Sequence, residues 1–284
     1  MPIKFQNVSF TYSPKTPFAF EALKDINLEI NEGDFLAIVG RTGCGKSTLI
    51  QHMNALFNPT EGCVTIDEFI NDADKKKRTK KVKELRHKVG MVFQFPEYQL
   101  FEENVEKDVA FAPKNFGMKE EEALQKAHEA LAKVGLDESF YKRSPFELSG
   151  GEKRRVAIAG ILAASPSFLI VDEPTAGLDP SGAENLMNLF AEIHEQGTTI
   201  VLVTHDMDLV LRYCNRVIVI DSGQVALETV PERLFDVEVE QYALQSPLLF
   251  SFASSLIDRG LPLEKEKIVS IEALAKEIRR VKSK

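Results

Sequence analysis

The 284-residue chain has only three cysteines, Cys44, Cys63 and Cys214. They are too few and too scattered for a disulfide framework or a thiolate zinc cluster, so a reducing cytosol is the simplest setting. No segment approaches the roughly 18 consecutive apolar residues that a membrane-spanning helix needs; the strongest runs, 168–171 and 217–220, are strand-sized. Any work done at a membrane therefore calls for a partner that spans it. The opening stretch, MPIKFQNVSF, alternates like a strand and lacks the charged start and apolar core of a secretory signal. An excess of positive charge is missing too: the net charge is −8, which argues against a general affinity for nucleic acid. Any phosphate binding must then be local. There is no internal repeat and no low-complexity tract.

What is present is enough apolar material, 44% of residues, for one large domain or a domain with an appendage. Residues 2–10 and 23–30 alternate as strands, and 35–39 reads as a strand buried on both faces. Further buried-type strands are expected at 89–93, 168–171, 199–204 and 217–220, separated by helical patterns such as 182–196. This predicts an α/β fold with a mainly parallel, helix-covered sheet and an N-terminal antiparallel β subdomain. Residues 120–134 and 152–164 carry apolar positions at helical spacing with no strand between them, predicting a helical subdomain inserted over about 97–165. After about residue 228 come short helical stretches at 231–236, 247–259 and 271–281. The expected division is a domain over 1–228 and a C-terminal appendage over 229–284.

Residues Gly40, Arg41, Thr42, Gly43, Cys44, Gly45, Lys46, Ser47 and Thr48 match the phosphate-loop pattern G-x-x-x-x-G-K-[ST], between a strand and a helix. The glycines let successive N–H groups turn toward one oxyanion, and a helix starting near Gly45 adds its positive end. A helix end alone contributes only roughly 0.3 to 1 kcal/mol, so holding a triphosphate also requires Lys46 and a magnesium ion on Ser47. A glycine-rich turn that happens to carry Lys-Ser is the plainer alternative. The apolar strand ending in Asp172 and Glu173 delivers two carboxylates where open α/β sheets bind ligands. Asp172 would hold magnesium, directly or through water, and Glu173 would polarise the attacking water as general base; two acids capping a strand is the bland alternative. Leu148-Ser149-Gly150-Gly151-Glu152 opens a helix with a second oxyanion-binding turn, and its spacing is equally that of a capping box. Cys44 is either a thiol activated by nearby positive charge or a small space-filler. The basic run over 75–88 reads more simply as a solvated face than as a patch gaining about 1 kcal/mol per residue near anionic lipid.

These three motifs in this order resemble the ABC ATPase family, over residues 1 to about 228. The resemblance implies that Ser149, Gly150 and Gly151 of one subunit close on ATP held by another subunit's phosphate loop, so that two subunits sandwich two nucleotides. It makes Gln94 the glutamine that reaches magnesium or the attacking water, and His205 the switch histidine at the γ-phosphate. Ala176-Gly177-Leu178-Asp179 becomes the loop through which subunits communicate, with Asp179 at the trans nucleotide. Tyr12 fits the aromatic that stacks on adenine, with Phe18 or Phe20 as alternates, because 13–21 looks like an insertion. A narrower resemblance lies in Phe93-Gln-Phe-Pro-Glu-Tyr-Gln-Leu-Phe-Glu102 and the following 108–117. It is similar to the second of the two paired ATPases of energy-coupling-factor transporters, importers of vitamins and metal ions. In those proteins a short helix after the glutamine borders the groove for the membrane subunit's coupling helices, and the C-terminal appendage helps pair the ATPases.

The family implies an ATP hydrolase, turning ATP and water into ADP and phosphate to drive uptake, with ATP and Mg2+ bound. It further implies a heterodimer with a homologous ATPase, a transmembrane coupling subunit and a substrate-binding membrane subunit. Membrane contact would run through these partners, no nucleic acid would be involved, and the chain would sit peripherally on the cytoplasmic face of the cell membrane. The rivals are the ATPase of another ABC importer, a soluble ABC ATPase acting on nucleic acid, and a nucleotide-binding regulator. Nucleic-acid ABC ATPases usually carry a coiled-coil insertion or two cassettes, and neither is present; a regulator has no use for a general base at Glu173.

Overall fold

The computed structural model describes residues 2–234, 239–264, 267–268 and 271–282. Its frame is a parallel sheet whose central strand, β3 (Phe35–Val39), is buried at every position. Phe35, Ala37 and Val39 enter one apolar cluster and Leu36 and Ile38 another, as the two-residue period of a strand covered on both sides demands. β7 (Phe168–Asp172) and β8 (Thr199–Val203) divide their side chains between the same two clusters. With β6 (Val89–Val92), β9 (Arg216–Asp221) and β10 (Gln224–Thr229) they form a sheet of order β10-β9-β3-β8-β7-β6, parallel except for β10.

The second cluster joins this sheet to an antiparallel one of order β2-β1-β4-β5, made from β1 (Ile3–Tyr12), β2 (Phe20–Ile30), β4 (Glu61–Ile66) and β5 (Phe69–Asp72). Between them lies α1 (Lys46–Met53), with Leu49, Ile50 and Met53 buried. β2 begins at Phe20, which pairs with Tyr12 across the β1–β2 ladder. The supposed insertion is therefore the hairpin connection 13–19, and its last two residues, Phe20 and Glu21, belong to the strand. The expectations also lacked β4, β5 and β10.

The chain leaves the sheet after β6 and returns at β7. In between stand α3 (Val105–Asn115), α4 (Glu120–Lys133), α5 (Glu138–Tyr141) and α6 (Gly150–Leu162), and α3 had not been expected. Asn104 caps α3 by accepting from the Lys107 N–H, and Pro113 sits in its final turn. Small residues Ala123, Ala127 and Ala130 on α4 let these helices approach closely. α2 (Val82–Lys88) precedes β6, while α7 (Pro180–Glu195) and α8 (Met207–Tyr213) flank β8 in the chain. The basic run is partly spent at home: Arg78 donates to the carbonyls of Asp72 and Ala73, Arg86 to those of Asn54 and Ala55, and Lys88 pairs with Asp67 and Glu68.

After β10 come α9 (Pro231–Leu234), α10 (Leu248–Asp258) and α11 (Ile271–Lys282); residues 235 and 236 of the expected 231–236 helix lie outside the described residues. Leu234 and Leu244 pack into the main core, whereas Ala253, Leu263, Ile268 and Leu274 form a small cluster of their own. Among the described residues no helix is long and apolar enough to cross a membrane.

Candidate functional site

Parallel neighbours end on the same edge of a sheet, so β3, β8, β7 and β6 deliver their following loops side by side. Those loops carry, in sheet order, residues 40–48, His205, Asp172 with Glu173, and Gln94. β8 separates β3 from β7, which puts their ends roughly 10 Å apart. Ser47, at the start of α1, faces Asp172 across that gap, and its hydroxyl favours the ionised carboxylate.

The loop 40–48 needs its glycines. Gly40 has φ +141°, and a Cβ there would lie 2.1 Å from the Ile220 carbonyl oxygen; Gly45, at φ +112°, would put one 2.6 Å from that of Ala22. Any side chain at either position would push the loop off β9 or β2. Gly45 is the N-cap residue of α1, whose first N–H groups are left free of side-chain caps. The Lys46 ammonium donates to the carbonyls of Gly40 at 2.7 Å and Arg41 at 2.9 Å, folding across the loop it belongs to. Burial pushes the Cys44 thiol up, outweighing the pull of Lys46, so Cys44 is a space-filler under the loop and not an activated thiolate.

Burial also pushes Asp172 up to about 6, helped by neighbouring Glu173 and opposed by Lys46 and the Ser47 hydroxyl. A carboxylate so placed gains from a cation. The donors offered, one carboxylate and one hydroxyl, are hard oxygens suited to magnesium, which takes few protein ligands and fills its shell with water and phosphate oxygens. No cluster of three or more His, Cys, Asp or Glu that could hold a metal occurs among the described residues.

Glu173 occupies the left-handed region, φ +47°, a conformation that costs a non-glycine residue about 1 to 3 kcal/mol and persists only where neighbours impose it. Its N–H donates to the Val203 carbonyl at 2.9 Å. This turn directs the carboxylate to the His205 imidazole, whose Nδ1 lies 2.9 Å from Glu173 Oε1. The carboxylate is 17% exposed and the imidazole 81%, so a held carboxylate adjoins a ring open to solvent. Gln94 is exposed beyond β6 and is followed by a single helical turn, Pro96–Gln99.

Tyr12 and Phe20 line a cavity of about 230 Å³ together with Gly43, Lys46, Ser47 and Thr48; Phe18 does not. Tyr12 is fixed by its hydroxyl at 2.9 Å from Thr48 Oγ1 and by edge-on packing against Phe10 and Phe57. Phe20, a little farther out, is 58% exposed.

Ser149, Gly151 and Asp179 stand apart from this group on a concavity of about 540 Å³ that shares no lining residue with the Lys46 cavity. Ser149 caps α6 in a capping box, with its Oγ accepting from the Glu152 N–H and Glu152 Oε2 accepting from the Ser149 N–H. Asp179 caps α7 by accepting from the Gly182 N–H at 3.0 Å. Nothing lies within 4 Å of a Cβ added at Gly150 or Gly151, so packing within this chain does not require glycine at either.

Sequence reasoning missed Arg154, which is buried beside exposed Arg155, and its partner Glu97. Adjacent arginines read alike in sequence; only the helix face tells them apart. It also missed two ties between the site and the C-terminal region. Arg41 donates to the Gln241 carbonyl, and Asp208 on α8 accepts from the Leu248 N–H at the start of α10, at 3.2 Å.

His52, on α1 behind the loop, is fully buried and held down at about 4 by burial; its Nδ1 lies 2.7 Å from the Thr48 carbonyl, and its Nε2 has no partner. The ordinary value for an unfolded chain is 6.5. Above 6.5 the ring is neutral in both states and its contribution is intact; below that the unfolded chain gains a proton that the fold refuses, so stability falls until pH reaches about 4. The loss amounts to roughly 3 kcal/mol. His52→Gln should flatten the melting temperature against pH between 6.5 and 4, which differential scanning fluorimetry across that range would check.

A phosphate loop, a strand-end acid pair, a histidine from the adjoining strand and a remote serine-glycine turn define an ABC-type nucleotide-binding subunit. The ABC transporter family profile matches residues 23–176. An energy-coupling factor transporter ATP-binding protein, EcfA2, of Enterococcus faecalis is 51% identical, covering 93% of this chain and 92% of that protein. Its namesake in Streptococcus pyogenes is 50% identical, covering 93% and 94%. Among solved structures, cbiO1 from Clostridium perfringens, described as part of the ABC transporter complex cbiONQ, superposes with a TM-score of 0.73 at 36% identity, covering 90% of this chain and 96% of that one. The ATP-binding cassette MJ0796, a dimer in a post-hydrolysis state with ADP and Pi, superposes with a TM-score of 0.71 at 35% identity, covering 81% and 98%. The chain belongs to the ABC transporter family and, within it, to the energy-coupling factor transporter ATP-binding proteins.

Proposed function

We propose that this chain is the second-type ATPase of an energy-coupling-factor importer, hydrolysing ATP to drive solute uptake through membrane partners. The observation that carries the reading is the Glu173–His205 pair at 2.9 Å, set on the same sheet edge as the Lys46 loop and Asp172. The loop amides and Lys46 bind the phosphates; Tyr12, backed by Phe20, takes the adenine. Asp172, Ser47 and Gln94 would hold magnesium, which would supply charge neutralisation at the phosphates. Glu173 accepts the proton of the attacking water as its oxygen bonds to the γ-phosphorus and the bond to the ADP oxygen breaks. His205 keeps the Glu173 carboxylate aimed and reaches the γ-phosphate with its exposed edge.

Ser149, Gly150, Gly151 and Asp179 serve a nucleotide on a second subunit. The open space above Gly150 and Gly151 supports this, since bare backbone is useful where something outside the chain comes close. The pairing subunit is a homologous ATPase, with the region after residue 228 contributing to the contact. Phe95, Tyr98, Phe101 and Phe111 are exposed around the turn after Gln94, apolar surface of the kind a membrane subunit's helices cover. The chain thereby sits peripherally at the cytoplasmic face of the membrane.

Expressed with its genomic neighbours and purified by a tag on this chain from detergent-solubilised membranes, it should bring down a homologous ATPase and two membrane proteins in a fixed ratio. Recovery of a soluble homodimer alone would overturn the assignment.

A further inference from the structure

Among the described residues Arg154 is the only lysine or arginine that is buried, 5% exposed. It projects from α6, five residues past Ser149 or roughly 7 Å along the helix. Nε donates to Glu97 Oε2 at 3.2 Å and Nη2 to Glu97 Oε1 at 3.1 Å. Nη1 donates to the carbonyl oxygens of Pro174 at 3.2 Å and Ala176 at 2.8 Å. Phe95 lies over the same guanidinium, its ring centre 5.9 Å from Cζ. One planar group thus joins three segments: α6, the turn after Gln94 and the loop after Glu173.

From this geometry we infer that Arg154 is a positioning residue that sets Glu173 and Gln94 according to where the Ser149 helix stands. The inference rests on the ATPase reading above and deepens it. Glu97 follows Gln94 by three residues, so the bidentate pair fixes the turn that directly follows the glutamine. Pro174 directly follows Glu173, whose left-handed backbone must be imposed from outside, and the Arg154 bond to the Pro174 carbonyl anchors the far side of that turn. Ala176 precedes Asp179 by three residues, so the second Nη1 bond reaches the Asp179 loop. A nucleotide on the neighbouring subunit that draws Ser149 toward it tilts α6, and the tilt arrives at Gln94 and Glu173 through these bonds. The site on this chain is thereby set by occupancy of the site across the interface.

The role needs the fork of donors. A lysine would keep the charge and much of the volume but is a point donor that cannot serve both carboxylate oxygens and two carbonyls in one plane. Arg154→Lys in the full transporter complex should lower kcat for ATP at least tenfold while KM for ATP stays within about twofold. In the nucleotide-free protein it should speed amide exchange over 173–178 by tenfold or more, with the melting temperature close to wild type. Glu97→Gln should reproduce both effects, and the double variant should be little worse than either single one, because the two act through one contact. Arg154→Lys with wild-type kcat, or a fall in kcat with exchange over 173–178 unchanged, sinks the inference. If the wild-type complex hydrolyses no ATP, the ATPase reading fails, and the exchange measurement still decides whether Arg154 holds the Glu173 turn.

Discussion

Glu173→Gln should leave the complex able to bind ATP and cut its steady-state hydrolysis by about 10² to 10⁴-fold, the usual contribution of a positioned general base. Glutamine keeps the size and can still meet His205 Nδ1 with an oxygen, so the pocket is preserved while the proton acceptor is lost. The bound ATP then persists, and with it the closed arrangement of two subunits. Phosphate release measured beside retained radiolabelled ATP checks both halves of this expectation. A variant turning over at the wild-type rate would remove Glu173 from the chemistry, whatever its contact with His205.

Lys46→Ala acts one step earlier, on binding. A hydrogen bond to a charged partner is worth about 2 to 3 kcal/mol, which corresponds to roughly a 30- to 150-fold weaker grip on ATP. The loop should also loosen, since Lys46 bonds the carbonyls of Gly40 and Arg41 and so ties the strand end to the helix start. Titration with a fluorescent ATP analogue reads the affinity directly. Normal affinity would take the phosphate loop out of the account.

Which parts of this design are visible in sequence follows from how local their causes are. The buried strand 35–39 and the glycine pattern after it are dictated by residues within a dozen positions, and both are legible. The strands β4 and β5 are not, because EGCVTI and FIND mix polar and apolar residues: β4 becomes a strand through pairing with β1, some 60 positions away, and β5 through pairing with β4. α3 escaped notice because Pro113 and its exposed Phe111 disguise the helical spacing. At the site, Lys46 and Asp172 carry chemical signatures and His205 is legible only through the family resemblance, while the Glu173–His205 contact needs β7 and β8 to be neighbours, which no local pattern states. Arg154 is the extreme case. Its neighbour Arg155 has the same chemistry, and only the wrap of α6 decides which guanidinium is buried against Glu97 and which meets water.

Besides packing Leu244 into the main core, the tail of the chain bonds to the site's own loops: Gln241 receives the Arg41 guanidinium of the phosphate loop, and the first amide of α10 rests on Asp208, three residues past His205. Trimming the protein to its cassette would therefore release Arg41 and Asp208 at once. A minimal version made for kinetics would differ from the natural one in loop stiffness, so turnover numbers from shortened and full-length relatives cannot be pooled.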